Sequence, residues 1–147
     1  MFTIIDFETD GLDGPIIELA AVNEKREVLS NLTNLNSLRT QDIDNSENKY
    51  SEIIHKFFKD ITETGNIIVF WHNFMPLYLQ KYYPEILNSM KGKFVLFTDF
   101  YAIFDGIRQP RYNIADITYD LTGRDHKGNA LDDALDLYDC FKITQWK

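Results

Sequence analysis

The stretch Ile4-Ile5-Asp6-Phe7-Glu8-Thr9-Asp10-Gly11-Leu12 joins a short apolar run to closely spaced carboxylates and ends in an Asp-Gly turn. Such a run reads as a strand, Phe2–Asp6, leading into a loop with two Asp-Gly pairs, Asp10-Gly11 and Asp13-Gly14. Residues two apart on a strand share a face, so Asp6 and Glu8 project side by side while Ile5 and Phe7 point the other way. Two carboxylates that close repel unless a cation lies between them or one stays protonated. Mg²⁺ or Mn²⁺, hard ions that prefer oxygen ligands, would relieve the repulsion.

Outward from this stretch, Ile16–Val22 and Arg26–Leu32 read as two more strands, completing an antiparallel meander. The polar segment Asn34–Asn48 reads as a loop, with Asp44 and Glu47 spaced as a capping box for the next helix. That helix, Asn48–Thr62, places Ile53, Ile54, Phe57, Phe58 and Ile61 on one face. Asn66–Trp71 is the pattern of a buried strand, and a helix is expected from Pro76 to near Gly92. Phe94–Thr98 is a further short strand; Asn113–Leu121 and Ala130–Thr144 follow as helices around a Gly/Asp/His loop. Three antiparallel strands followed by alternating α and β predict an α/β fold, a mixed sheet flanked by helices.

The last helix opens on Asn129-Ala130-Leu131-Asp132-Asp133-Ala134. Asp132, Asp136 and Asp139 recur at i, i+4 and i+7, the spacing of a solvated acidic stripe. Asp133 instead shares its face with Ala130, Leu137 and Cys140. A carboxylate on an apolar face is costly unless it is paired or ligates a metal. Asp133 therefore joins Asp6 and Glu8 as a candidate ligand.

The 147 residues suit a single domain, 1–147, and 44% apolar content supports a packed core. One cysteine, Cys140, excludes an internal disulfide and suits a reducing, cytoplasmic setting. No apolar run is long enough for a signal segment or a membrane span, so no membrane partner is expected. A net charge of −8 argues against a broad electrostatic grip on nucleic acid. The excess acid lies in the first half, however, and Lys81–Arg111 is locally basic. A strand end needs only a few phosphate contacts.

These segments together resemble the DEDD-type 3′–5′ exonuclease superfamily, which has the ribonuclease H-like fold. Asp6-Phe7-Glu8-Thr9-Asp10-Gly11-Leu12 with Ile16-Ile17-Glu18-Leu19-Ala20-Ala21-Val22 is similar to the first motif and second strand of proofreading-type members. Val69-Phe70-Trp71-His72-Asn73 resembles the strand end that introduces their second motif. Tyr112-Asn113-Ile114 to Leu121-Thr122-Gly123, then Asn129 to Ala134, resembles their third.

The resemblance implies a nuclease that removes nucleotides from the 3′ end of single-stranded DNA or RNA. Its divalent ions would be held by Asp6, Glu8 and Asp133. It also places Phe7, Thr9, Gly11, Leu12, His72 and Asn73 on the nucleic-acid side. Two positions depart from the family pattern. Pro76 and Leu77 stand where the second motif expects an aspartate, and Gly128 stands where a histidine base is expected. His126 is the nearest histidine and the candidate catalytic base. The sequence thus supports two functions: a metal-dependent exonuclease, or a catalytically impaired pseudo-nuclease that binds nucleic acid or a protein partner.

Overall fold

A computed structural model describes residues 1–38, 43–99 and 114–145, with backbone alone over 43–48. The strands are β1 (Phe2–Thr9), β2 (Ile16–Asn23), β3 (Val28–Leu32), β4 (Ile67–Phe70) and β5 (Phe94–Leu96). The helices are α1 (Ile43–Thr62), α2 (Phe74–Tyr82), α3 (Pro84–Ser89), α4 (Ile114–Thr122) and α5 (Ala130–Gln145). The strands form one mixed sheet in the order β3-β2-β1-β4-β5. β1 runs antiparallel to β2 and parallel to β4, and β4 runs parallel to β5. The chain is thus an α/β protein with a five-stranded mixed sheet flanked by helices.

The central strand is buried on both sides, as its nearly unbroken apolar run requires. Ile5 and Phe7 face one core, where Ile54, Phe57, Phe58 and Ile61 of α1 meet Met75 and Leu79 of α2. Phe2 and Ile4 face the other, where Ile117 of α4 meets Ala134, Leu137 and Cys140 of α5. Asp6 and Glu8 continue this second face, so the alternation that builds two cores also turns both carboxylates towards α5.

Several boundaries move for local reasons. Arg26 has φ 65° and donates its N–H to Asn23 O, which makes it part of the β2–β3 turn and starts β3 at Val28. Residues 37–38 are helical and α1 begins at Ile43, so 34–48 is not loop throughout. The side chains of the expected Asp44/Glu47 capping box lie outside the described residues. The helix expected from Pro76 to Gly92 is two helices. Tyr83 leaves the helical region at φ −140° because Pro84 follows it, and Pro84 then opens α3. β5 stops at Leu96, where residues 97–99 turn helical. Much of the locally basic Lys81–Arg111 segment lies outside the described residues.

Candidate metal centre

Asp6 and Glu8 reach the centre from the C-terminal half of β1, and Asp133 from the first turn of α5. One carboxylate oxygen from each lies within 4.8 Å of the other two. Asp6 is fully buried, and neither of its oxygens meets an N–H or hydroxyl donor among the described residues. Among the described residues, the Glu8 carboxyl is close enough to share a hydrogen bond with it once one of the pair carries a proton.

Burial, followed by repulsion from Asp133 and Glu8, drives the Asp6 carboxyl well above the usual carboxylate range. Burial first, then a hydrogen bond and repulsion from Glu8, pushes Asp133 up to about 9. A metal-free centre of this kind holds protons that a divalent cation would displace. The donors are all carboxylate oxygens, a set that suits Mg²⁺ or Mn²⁺ rather than a thiophilic ion.

His126 lies against this cluster from the loop between α4 and α5. Its Nε2 is 2.8 Å from Asp133 Oδ1, though not aligned as a regular hydrogen bond, and its Nδ1 is 3.3 Å from Asp136 Oδ2. With both ring nitrogens facing carboxylates, His126 is held rather than loose on the surface. The neighbouring Gly128 has φ 84°, left-handed backbone that a histidine would strain. A base placed two residues after His126 would thus conflict with this loop's path.

The expected solvated stripe on α5 is corrected. Asp136 is only 7% exposed, and it is bonded to His126 and Arg124. Asp139 accepts from Arg124 at 2.6 Å and from both Arg26 Nε and Nη2. Helical phase could not reveal partners that come from another loop and from a turn 113 residues away. Asp132 has a local role: Asn129 Oδ1 accepts the Asp132 N–H at 2.8 Å, and Asn129 Nδ2 donates to Asp132 Oδ2. Asn129 is the N-cap of α5.

The nucleic-acid candidates separate. Phe7 is 1% exposed and packs beside Phe58, Phe74 and Tyr78, so only its backbone could meet a ligand. Leu12 stands 78% exposed at the tip of the β1–β2 loop, and Thr9 Oγ1 donates to Gly11 O beneath it. Gly14 is obligatory there, since a Cβ on it would fall 1.7 Å from Asp10 O. His72 accepts the Phe74 N–H through Nδ1, and burial lowers its pKa, so it braces the start of α2. Asn73 is exposed beside it.

In α2, Pro76 is buried and Leu77 is 62% exposed, so neither position the second motif left open supplies a ligand. The helix instead ties down the β1–β2 loop. Tyr78 Oη donates to Gly14 O at 2.6 Å, and Lys81 Nζ to Asp13 Oδ1 at 2.7 Å.

No family model, curated protein or solved structure matches this chain. No described helix is long and apolar enough to cross a membrane.

Two side chains at the centre carried no chemical role in the sequence reading. Glu18 of β2 sits opposite Glu8, and its Oε1 accepts the Ala130 N–H at 2.8 Å. Trp71, just past β4, donates Nε1–H to Asp133 O at 2.9 Å. Both lie inside quoted motif segments, but nothing in their local pattern points across the fold.

Proposed function

We propose that this chain is a metal-dependent 3′–5′ exonuclease of the DEDD type, with a ribonuclease H-like fold, acting on single-stranded DNA or RNA ends. The observation that carries the reading is the convergence of Asp6, Glu8 and Asp133 on one point. Asp6 is buried there with no N–H or hydroxyl donor among the described residues, an arrangement hard to explain as surface acidity. The sheet order, with its antiparallel first three strands and parallel β4 and β5, also fits the expected fold.

Asp6, Glu8 and Asp133 would hold the Mg²⁺ or Mn²⁺. A divalent ion in such a site supplies an acidified water and stabilises charge developing at phosphorus. His126 is placed to take a proton beside Asp133, and Asp136 at its Nδ1 favours the tautomer that leaves Nε2 free to accept. The exposed Leu12, above the turn closed by Thr9 and Gly11, suits contact with a terminal nucleotide.

A second reading has one observation in its favour: α2 contributes no carboxylate, because Pro76 and Leu77 occupy the two candidate positions. On that reading the centre binds metal and a strand end, or a protein partner, without cleaving. Incubating a 5′-labelled single strand with Mn²⁺ or Mg²⁺ separates the two. Shortening from the 3′ end by the natural protein but not by Asp6→Ala supports the nuclease. Intact strand in both, with metal bound, supports the binding protein.

A further inference from the structure

The first turn of α5 is fastened to the sheet on both sides of β1. β2 and β4 are the two neighbours of β1, and each sends one side chain to this turn. From β2, Glu18 Oε1 accepts the N–H of Ala130, the first residue of the helix. From the end of β4, the buried Trp71 indole donates to the backbone carbonyl of Asp133 itself. Other contacts at this helix start come from nearby in sequence: the Asn129 side chain accepts the Asp132 N–H and donates to Asp132 Oδ2, and His126 lies against Asp133.

These bonds differ from ordinary helix capping in where their partners lie. The first N–H groups of a helix need acceptors, and a local Ser, Asp or Asn usually supplies them. Here the acceptor is 112 residues away in sequence and stands cross-strand to Glu8, one of the metal-site carboxylates. The donor on the other side is 62 residues away and bonds to the ligand-bearing residue. Two attachments on opposite sides of β1 restrain both the slide and the tilt of α5 relative to Asp6 and Glu8.

We propose that Glu18 and Trp71 form a clamp that sets the distance of Asp133 from Asp6 and Glu8, making both positioning residues for the metal centre. This rests on the metal-site reading above. Glu18 acts through its bond to Ala130 and not as a ligand. The clamp matters because carboxylates that converge on one point repel one another, and the first turn of α5 carries one of the three. Groups that support metal ligands commonly contribute tenfold to a hundredfold in affinity.

The test compares Mn²⁺ affinity by calorimetry, with metal-free melting temperature as the control for folding, in the natural protein, Glu18→Gln, Glu18→Ala and Trp71→Phe. Glu18→Gln keeps an oxygen that accepts the Ala130 N–H and should bind Mn²⁺ within about threefold of the natural protein. Glu18→Ala loses the acceptor and should bind roughly tenfold or more weakly. Trp71→Phe keeps a large ring but removes the donor, and should weaken binding in the same direction with less risk to the fold. Gln as damaging as Ala would make Glu18 a ligand and overturn the clamp. Unchanged affinity in Trp71→Phe, or in a folded Glu18→Ala, would overturn it as well. A natural protein that binds no Mn²⁺ would instead overturn the metal centre, and the clamp with it.

Discussion

His126 Nε2 lies 2.8 Å from Asp133 Oδ1, bringing the loop before α5 directly onto the converging carboxylates. Replacing His126 with Ala should lower kcat by about 10²–10⁴ if the imidazole takes the proton from the attacking water. Because Asp136 holds the other ring nitrogen, Asp136→Asn should lower kcat in the same direction with little change in Mn²⁺ affinity. Steady-state kinetics on a labelled single strand check both. A His126→Ala protein with unchanged kcat would leave the imidazole no part in proton transfer.

Asp6→Asn should separate stability from function. The substitution removes a buried carboxyl that repels Asp133 and Glu8. Metal-free protein should therefore gain at least about 1.4 kcal/mol at neutral pH, the worth of a single unit of pKa shift, because the amide carries no ionisable proton. At this chain length each kcal/mol corresponds to about 2–4 °C in Tm. Mn²⁺ binding and any nuclease activity should be lost together. A lower metal-free Tm in Asp6→Asn would show that the carboxyl is satisfied in the folded protein by a donor that the described residues do not supply.

The pH dependence has a definite sign. Asp6 is raised well above its ordinary value and Asp133 to about 9, whereas an unfolded aspartate titrates near about 3.9. The folded metal-free state therefore binds more protons than the unfolded state across that interval. The stability these two groups contribute is fully present below about pH 4; the Asp133 share is lost as pH rises through about 9, and the Asp6 share as pH rises through its own raised value. Mn²⁺ favours the deprotonated carboxylates, so the increment in Tm from added Mn²⁺ should grow over the same range. Thermal melts at about pH 5, 7 and 9, in chelator and in Mn²⁺, test this; a Mn²⁺ increment that shrinks with pH would contradict it.

The adjacent aspartates of α5 should behave differently. Asp133→Asn should abolish Mn²⁺ binding, because Asp133 is one of the three converging carboxylates. Asp132→Asn should leave Mn²⁺ affinity unchanged and cost at most about 1 kcal/mol, since the Asn129 side chain still receives its backbone N–H. Calorimetry and chemical denaturation on the two variants read out both effects. Equal loss of binding would mean that the helix start, rather than the inward carboxylate, governs the site.

The two positions left open for a fourth carboxylate should also part. Leu77 is 62% exposed on α2, so Leu77→Asp should fold normally and, if α2 faces the centre, raise activity or the affinity for a second ion. Pro76 is buried in the first turn, so Pro76→Asp should destabilise by several kcal/mol, the range for burying an unpaired charge. Gly128→His should give no gain, because φ 84° penalises any side chain there by about 1–2 kcal/mol. A more active Gly128→His protein would place the base at 128 rather than 126.

Periodicity and short-range chemistry made the sheet, the α1 apolar face and the Asp6/Glu8/Asp133 set legible in the sequence. Alternation along β1 turns Asp6 and Glu8 one way and Ile5 and Phe7 the other. The 3.6-residue repeat of α5 turns Asp133 inward with Leu137 and Cys140. What alternation and helical phase report is which face a residue occupies, and not what lies across from it. Asp136 and Asp139 therefore read as solvated until Arg124, His126 and Arg26 were brought beside them by tertiary folding. The same holds for Glu18 and Trp71, whose partners are 112 and 62 residues away. His126 is the mixed case: its presence near the last helix was visible in the sequence. Its place against Asp133 was set by a loop whose left-handed turn at Gly128 no local pattern of side chains specifies.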